Sequence, residues 1–178
     1  RLAISNEQRE DLRHLPIVAI DPADARDHDD AIWAEPDDNP DNKGGFKALI
    51  AIADVSYYVR SGSKLDREAY KRGNSVYFPD RVVPMLPEAL STDVCSLKQG
   101  VDRAALVCHV TINAKGQVIA SRFTRAIVKL AGNIAYEDAQ AAMDGKLDHP
   151  LKSSALEPLW ACWKLLAKAR DEREPLNL

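Results

Sequence analysis

IVAIDPADARDHDDAIWA, residues 17–34, carries two chemistries in one short stretch and sets the fold around it. Residues 17–20 form an apolar, partly β-branched run that Asp21-Pro22 cuts off. That pattern predicts a buried strand with Asp21 at its C-terminal end. Residues 31–34 read as a second strand. Between the two, positions 21–30 hold five aspartates: Asp21, Asp24, Asp27, Asp29 and Asp30. Acidic residues fill 27 of 178 positions, so five in ten is a local excess that needs a cause.

Four of the five make the pattern D-x5-D-x-D-D: Asp21, Asp27, Asp29 and Asp30. Carboxylates that converge repel each other unless a multivalent cation sits among them. Oxygen-only ligands without His or Cys favour a hard ion, Mg²⁺ or Mn²⁺. In an extended loop end, Asp27 and Asp29 share one side and Asp30 faces the other. The chemistry that suits such a site is phosphodiester hydrolysis, with ions neutralising the phosphate, activating water and stabilising the leaving oxygen. An acidic solvated loop is the bland alternative. The apolar flanks on both sides weigh against it. An EF-hand loop fails, because counting from Asp27 its fifth and sixth positions are Ala31 and Ile32. An aspartyl-nucleophile phosphatase needs D-x-D directly after the strand, where this chain has Asp21-Pro22-Ala23.

Outward from the cluster, 46% hydrophobic and 29% charged residues fit a globular domain and exclude a mostly disordered chain. A length of 178 residues suggests one domain. No apolar run approaches the ~20 residues a membrane helix needs, and no secretion signal opens the chain. Three scattered cysteines, Cys95, Cys108 and Cys162, read as reduced thiols in a cytoplasmic protein. The net charge of -3 hides a split: residues 1–60 hold 13 acids and 7 bases, residues 61–178 hold 14 and 17.

The remaining pattern predicts a loop over 37–45, a central strand over 46–55 and a helix over 63–72. Ser63 is the candidate N-cap of that helix and Gly73 its stop. Prolines 79, 84 and 87 make 74–96 irregular. Residues 103–113 and 117–130 read as long strands joined by a hairpin turn at Ala114-Lys115-Gly116. Helices are expected over 136–143 and 155–173, the second with Pro158 in its first turn. Strands mixed with helices imply an α+β (mixed α/β) domain.

The segment IDPADARDHDDAI, residues 20–32, resembles the first signature of the ribonuclease II/ribonuclease R catalytic (RNB) domain family. Two further blocks follow in order: residues 52–97, from IADVSYYV to CSL, and VDRAALVCHVTIN, residues 101–113. The text is most similar to the ribonuclease R branch. The resemblance implies a twisted, largely antiparallel sheet with flanking helices. It also implies a 3′-5′ exoribonuclease that hydrolyses single-stranded RNA to nucleoside 5′-monophosphates with Mg²⁺. Asp21, Asp27, Asp29 and Asp30 match that family's catalytic metal-site aspartates, Asp29 being the one whose loss stops cleavage while sparing binding. Tyr77 matches the aromatic that stacks on the terminal base, a role suited to sequence-tolerant grip.

Two departures stand out. Ala51 occupies a position that is His in many relatives, and no arginine-containing block of the TSPIRRY type occurs. Residues 1–178 are therefore expected to be the N-terminal portion of such a domain, cut at both ends. The remainder of the domain, its intramolecular partner, and the flanking cold-shock and S1 domains are expected to be missing. A catalytically incomplete module that only binds metal and RNA is the alternative reading. A DNA-directed metal nuclease is allowed by the aspartates but not by the longer blocks.

Other residues receive plainer readings. His28 is expected to point away from an all-carboxylate site, and His14, His109 and His149 to be structural or exposed. Trp160 and Trp163 are expected on the apolar face of the last helix, in a core or interface role. Phe78 is expected in the core and Cys95 as a buried thiol. Arg60, Lys64, Arg67, Lys71 and Arg72 form a basic stretch suited either to phosphates or to a solvated helix face.

Overall fold

The computed structural model describes residues 9–173; residues 1–8 and 174–178, where the expected cut ends fall, lie outside the described residues. Nine strands are described: β1 Glu10–Asp11, β2 Val18–Asp21, β3 Asp30–Pro36, β4 Phe46–Ala53, β5 Val76–Tyr77, β6 Val82–Val83, β7 Asp102–Ile112, β8 Val118–Lys129 and β9 Gly132–Ala135. Four α-helices accompany them: α1 Val55–Tyr58, α2 Lys64–Arg72, α3 Tyr136–Met143 and α4 Glu157–Asp171. Seven strands form one sheet in the order β1-β8-β7-β4-β3-β2-β9, and β5 pairs β6 apart from it. The sheet is antiparallel except for its two outermost pairings, β1 with β8 and β2 with β9. The expected α+β class with a largely antiparallel sheet holds.

Period-two alternation decides which face each side chain enters. Ala19, Trp33, Leu49, Ala51, Val107 and Val128 point into one core, closed over by Leu90, Cys95 and Leu97 from the segment between α2 and β7. Their neighbours Val18 and Ile134 face the other side, against Ala139 and Ala142 of α3. Ala34 and Ile112 on that side meet Cys162, Leu159, Leu165 and Leu166 of α4. One face is thus covered by the first core, whereas α3 and α4 cover only part of the other and leave Ile50, Ile52 and Leu106 of β4 and β7 exposed.

Several boundaries differ from the sequence expectation. The central strand stops at Ala53 rather than at 55, because buried Asp54 turns the chain into α1. Helix α2 begins where expected, with the Ser63 hydroxyl accepting from the Asp66 amide. The proline-rich stretch holds the β5–β6 hairpin and a π-helical turn, Ala89–Val94. A second π-helical turn, Lys152–Leu156, precedes α4, which leaves Pro158 in the first α-helical turn as predicted. Trp163 is not in the core: it is exposed and touches Trp160, while Cys162 forms the buried line of α4. Phe78 is likewise exposed, with the Arg81 guanidinium 4.7 Å from its ring centre.

Candidate functional site

The aspartate loop is suspended between two strands of one sheet. Asp21 closes β2 and Asp30 opens β3, so both are placed by backbone pairing: Asp21 opposite Ala135, Asp30 opposite Ile52. The carbonyl of Asp29 accepts from the Ala53 amide at 2.8 Å, which ties the loop's end to β4. Asp27 and Asp29 line a cavity of about 300 Å³ with Ser75, Tyr77, Met85, Leu86 and Cys95. Asp30 does not line it, as extended-chain alternation predicts. That volume is at the small end of ligand-sized clefts.

The charges are close enough to perturb one another. Burial, then the charges of Asp27, Asp30 and Asp21 in that order, push the Asp29 carboxyl above the usual carboxylate range, and His28 opposes them. Tyr77 holds its hydroxyl 3.4 Å from Asp27 Oδ2, and the Asp27 charge pushes its phenol upward. The Cys95 thiol at the cavity wall is buried and pushed up to about 11, chiefly by burial, so it is an inert wall rather than a nucleophile.

His28 departs from expectation. Its Nδ1 lies 2.6 Å from Asp21 Oδ2, so the ring is turned onto the cluster rather than away. Among the described residues no three His, Cys, Asp or Glu side chains are gathered tightly enough to hold an ion as they stand. Asp21 is engaged by His28, and Asp27 faces the Tyr77 hydroxyl. The donor chemistry nonetheless fits a hard divalent cation: four carboxylates, with Asp29 raised in part by the other three.

A larger groove of about 510 Å³ lies between α4 and the β7–β8 turn. Trp163, Arg170 and Arg173 line it without any acid, thiol or imidazole, so hydrolytic chemistry has no group there.

The family model described as RNB domain matches residues 9–178. The chain belongs to the RNB family. Ribonuclease R of Vibrio parahaemolyticus is 46% identical over 171 residues, covering 93% of this chain and 20% of that protein. Ribonuclease R of Escherichia coli is 45% identical over 170 residues, with the same coverage of 93% and 20%. Among solved structures, Mycoplasma genitalium RNase R in complex with double-stranded RNA superposes with a TM-score of 0.88 at 28% identity, covering 97% of this chain and 31% of that one. The chain spans about a fifth of the length of these two relatives.

In this RNB chain, sequence reasoning missed the residues that hold the loop. Ser96, fully buried, bonds to the backbone of Arg26 and His28. A single serine inside DVCSL offers no periodic or charge signal, so only the folded geometry reveals it. The basic stretch is largely occupied within the fold: Arg67 donates to the Gly62 carbonyl, and Arg72 donates to Glu68 and to the Pro84 carbonyl. Arg60 stacks on Tyr57. Among the described residues no helix is long and apolar enough to cross a membrane.

Proposed function

We propose that this chain is the N-terminal portion of a ribonuclease R-like RNB catalytic domain. On this reading it contributes the acidic centre of a 3′-5′ exoribonuclease that releases nucleoside 5′-monophosphates from single-stranded RNA. The observation that carries the reading is the Asp29 carboxyl, raised by burial and by three neighbouring aspartates beside a cavity walled by Tyr77. Asp21, Asp27, Asp29 and Asp30 would hold Mg²⁺ or Mn²⁺, which when bound supplies phosphate neutralisation and water activation. Asp27 and Asp29, on the cavity side, present their oxygens where a terminal phosphate would lie. Tyr77 offers an exposed ring as a stacking surface for the last base, which every nucleobase can use. His28 keeps the Asp21 carboxylate oriented.

A second reading treats the chain as a metal- and RNA-binding module without turnover. It keeps the same acidic centre and the same exposed Tyr77 ring and differs from the first reading in turnover alone. One assay decides between them. A 5′-labelled single-stranded RNA is incubated with the chain and Mg²⁺ or Mn²⁺, beside the same chain carrying Asp29→Asn. A ladder of shortened RNA lost in Asp29→Asn supports the exoribonuclease. Metal-dependent retention of intact RNA supports the module. Equal processing of a DNA oligomer sinks the RNA-directed reading.

A further inference from the structure

We propose that Ser96 is a positioning residue for the aspartate loop, its buried hydroxyl fixing the backbone on both sides of Asp27 and, through His28, the orientation of Asp21. The inference rests on the reading of those aspartates as a divalent-ion site.

Ser96 is fully buried, so it is neither a nucleophile nor a direct contact for RNA. Its hydroxyl donates to the Arg26 carbonyl at 3.0 Å and accepts from the His28 amide at 3.1 Å. A serine hydroxyl has one hydrogen to give and lone pairs to receive, and here both capacities go to the two residues flanking Asp27. The next residue extends the brace, because the Leu97 amide donates to the His28 carbonyl at 2.8 Å. Arg26, Asp27 and His28 are thus stitched to residues 96–97 at three backbone points.

Each point acts on a carboxylate. Asp27 sits between the two bonded groups, so its direction of exit from the backbone is set by them. His28, fixed at both its amide and its carbonyl, delivers Nδ1 to Asp21 at 2.6 Å. Asp29 follows the fixed His28 carbonyl and is held at its own carbonyl by Ala53. The brace is itself anchored: Arg103 Nε of β7 donates to the Ser96 carbonyl at 2.8 Å, and Asn133 Nδ2 of β9 donates to the Leu97 carbonyl at 3.0 Å. Residues that orient metal-binding side chains without touching the ion tune its affinity strongly.

The test uses the whole chain, Mn²⁺ alone as probe, and two readouts other than turnover. Ser96→Ala is expected to weaken Mn²⁺ binding by roughly 10- to 100-fold in a titration of free ion. It should also accelerate hydrogen exchange at the His28 amide while Leu49 and Val107 stay protected. Ser96→Thr, which keeps the hydroxyl, should recover most of both. If Ser96→Ala does not fold by its melting curve, Ser96→Cys replaces it. The thiol is a weaker donor and acceptor, so both readouts should still move in the same direction. Wild-type Mn²⁺ affinity with unchanged His28 protection in a folded Ser96→Ala or Ser96→Cys chain overturns the proposal and leaves the aspartate site standing. Mn²⁺ binding that is equal in the wild-type chain and in Asp29→Asn, or absent from both, overturns the ion site and the proposal with it.

Discussion

The Tyr77 hydroxyl lies 3.4 Å from Asp27 Oδ2, so the aromatic surface and the acidic centre meet at one point. The contact is near the long limit of a hydrogen bond, and its main trace is electrostatic. The Asp27 charge disfavours a phenolate beside it and pushes the Tyr77 phenol above its ordinary range. Asp27→Asn should therefore bring that phenol back down, read by a spectrophotometric titration of tyrosine. Stacking and ionisation separate cleanly. Tyr77→Ala should weaken single-stranded RNA binding by about 1–3 kcal/mol, the usual worth of one base on one ring. Tyr77→Phe keeps the ring and should bind as the parent chain does. Equal affinity of Tyr77→Ala and wild type in a fluorescence-anisotropy titration would remove Tyr77 from the RNA surface.

Asp29 makes a prediction whose sign depends on its raised carboxyl. With the folded value above the unfolded one, the native state binds the extra proton between the two. Stability therefore falls as pH rises through that window. Above that window the ionised Asp29 works against the fold. Asp29→Asn should melt higher than wild type at neutral pH in a chelator, and the advantage should vanish below the ordinary carboxylate range. Adding Mn²⁺ should reverse the order. A ligand at 100 times its Kd stabilises by about 2.7 kcal/mol, and the variant lacking a ligand should gain far less. Melting curves at several pH values, with and without Mn²⁺, check both halves.

What the sequence revealed follows from how each signal arises. The long hairpin of β7 and β8 and helix α2 have strong periodicity or caps, and they appear where predicted. Strand β9, four residues of GNIA, is too short for periodicity and exists because β2 offers it a parallel edge. The aspartate cluster was conspicuous as composition, and its division into cavity-facing and outward carboxylates followed from alternation. The His28–Asp21 contact was not legible, because a histidine beside aspartates gives no sign of which way its ring turns. Tyr77 stood out only through the family resemblance. Seven residues before it, Tyr70 is more exposed still, and nothing in the residues alone ranks one above the other.

Gly116 marks where the β7–β8 turn docks on α4. Its φ of +71° is left-handed, and a Cβ there would sit 2.6 Å from the Leu165 carbonyl oxygen and 2.7 Å from Ala169 Cβ. Neither neighbour is the free end of a flexible side chain. Gly116→Ala combines backbone strain with overpacking and should cost about 1–3 kcal/mol. Urea unfolding should show a lower midpoint with an unchanged slope. Gly62, also left-handed but with nothing within 4 Å of where a Cβ would sit, is the control that isolates the backbone contribution. Gly62→Ala should lose less than Gly116→Ala, and equal losses would show that α4 gives way to the added methyl.

Asp54 follows β4 and is 4% exposed, yet it faces two guanidinium groups. Its Oδ2 accepts from Arg9 at 2.9 Å and from Arg125 at 2.8 Å, while Oδ1 accepts from the Ser56 hydroxyl. Burial alone would raise this carboxyl. The Ser56 bond and the charges of Arg9 and Arg125 outweigh burial and hold it below its ordinary value. A depressed folded value means that the stabilisation is present above the unfolded pKa and is lost as pH falls through the folded one. Arg9, whose side chain is fully buried, sits just before β1. Among the described residues β1 pairs with β8 alone, and β8 carries Arg125. The three charges therefore fasten the edge strand to the sheet. Asp54→Asn keeps the shape but removes the charge, and breaking a buried pair in this way typically costs about 3–5 kcal/mol. Guanidinium or urea unfolding at neutral pH should show that loss. Hydrogen exchange should place the earliest opening at Leu12, whose amide bonds to the Ile127 carbonyl of β8. A loss below about 1 kcal/mol, the range of exposed pairs, would show that water reaches Arg9 and that β1 is held by its backbone pairing instead.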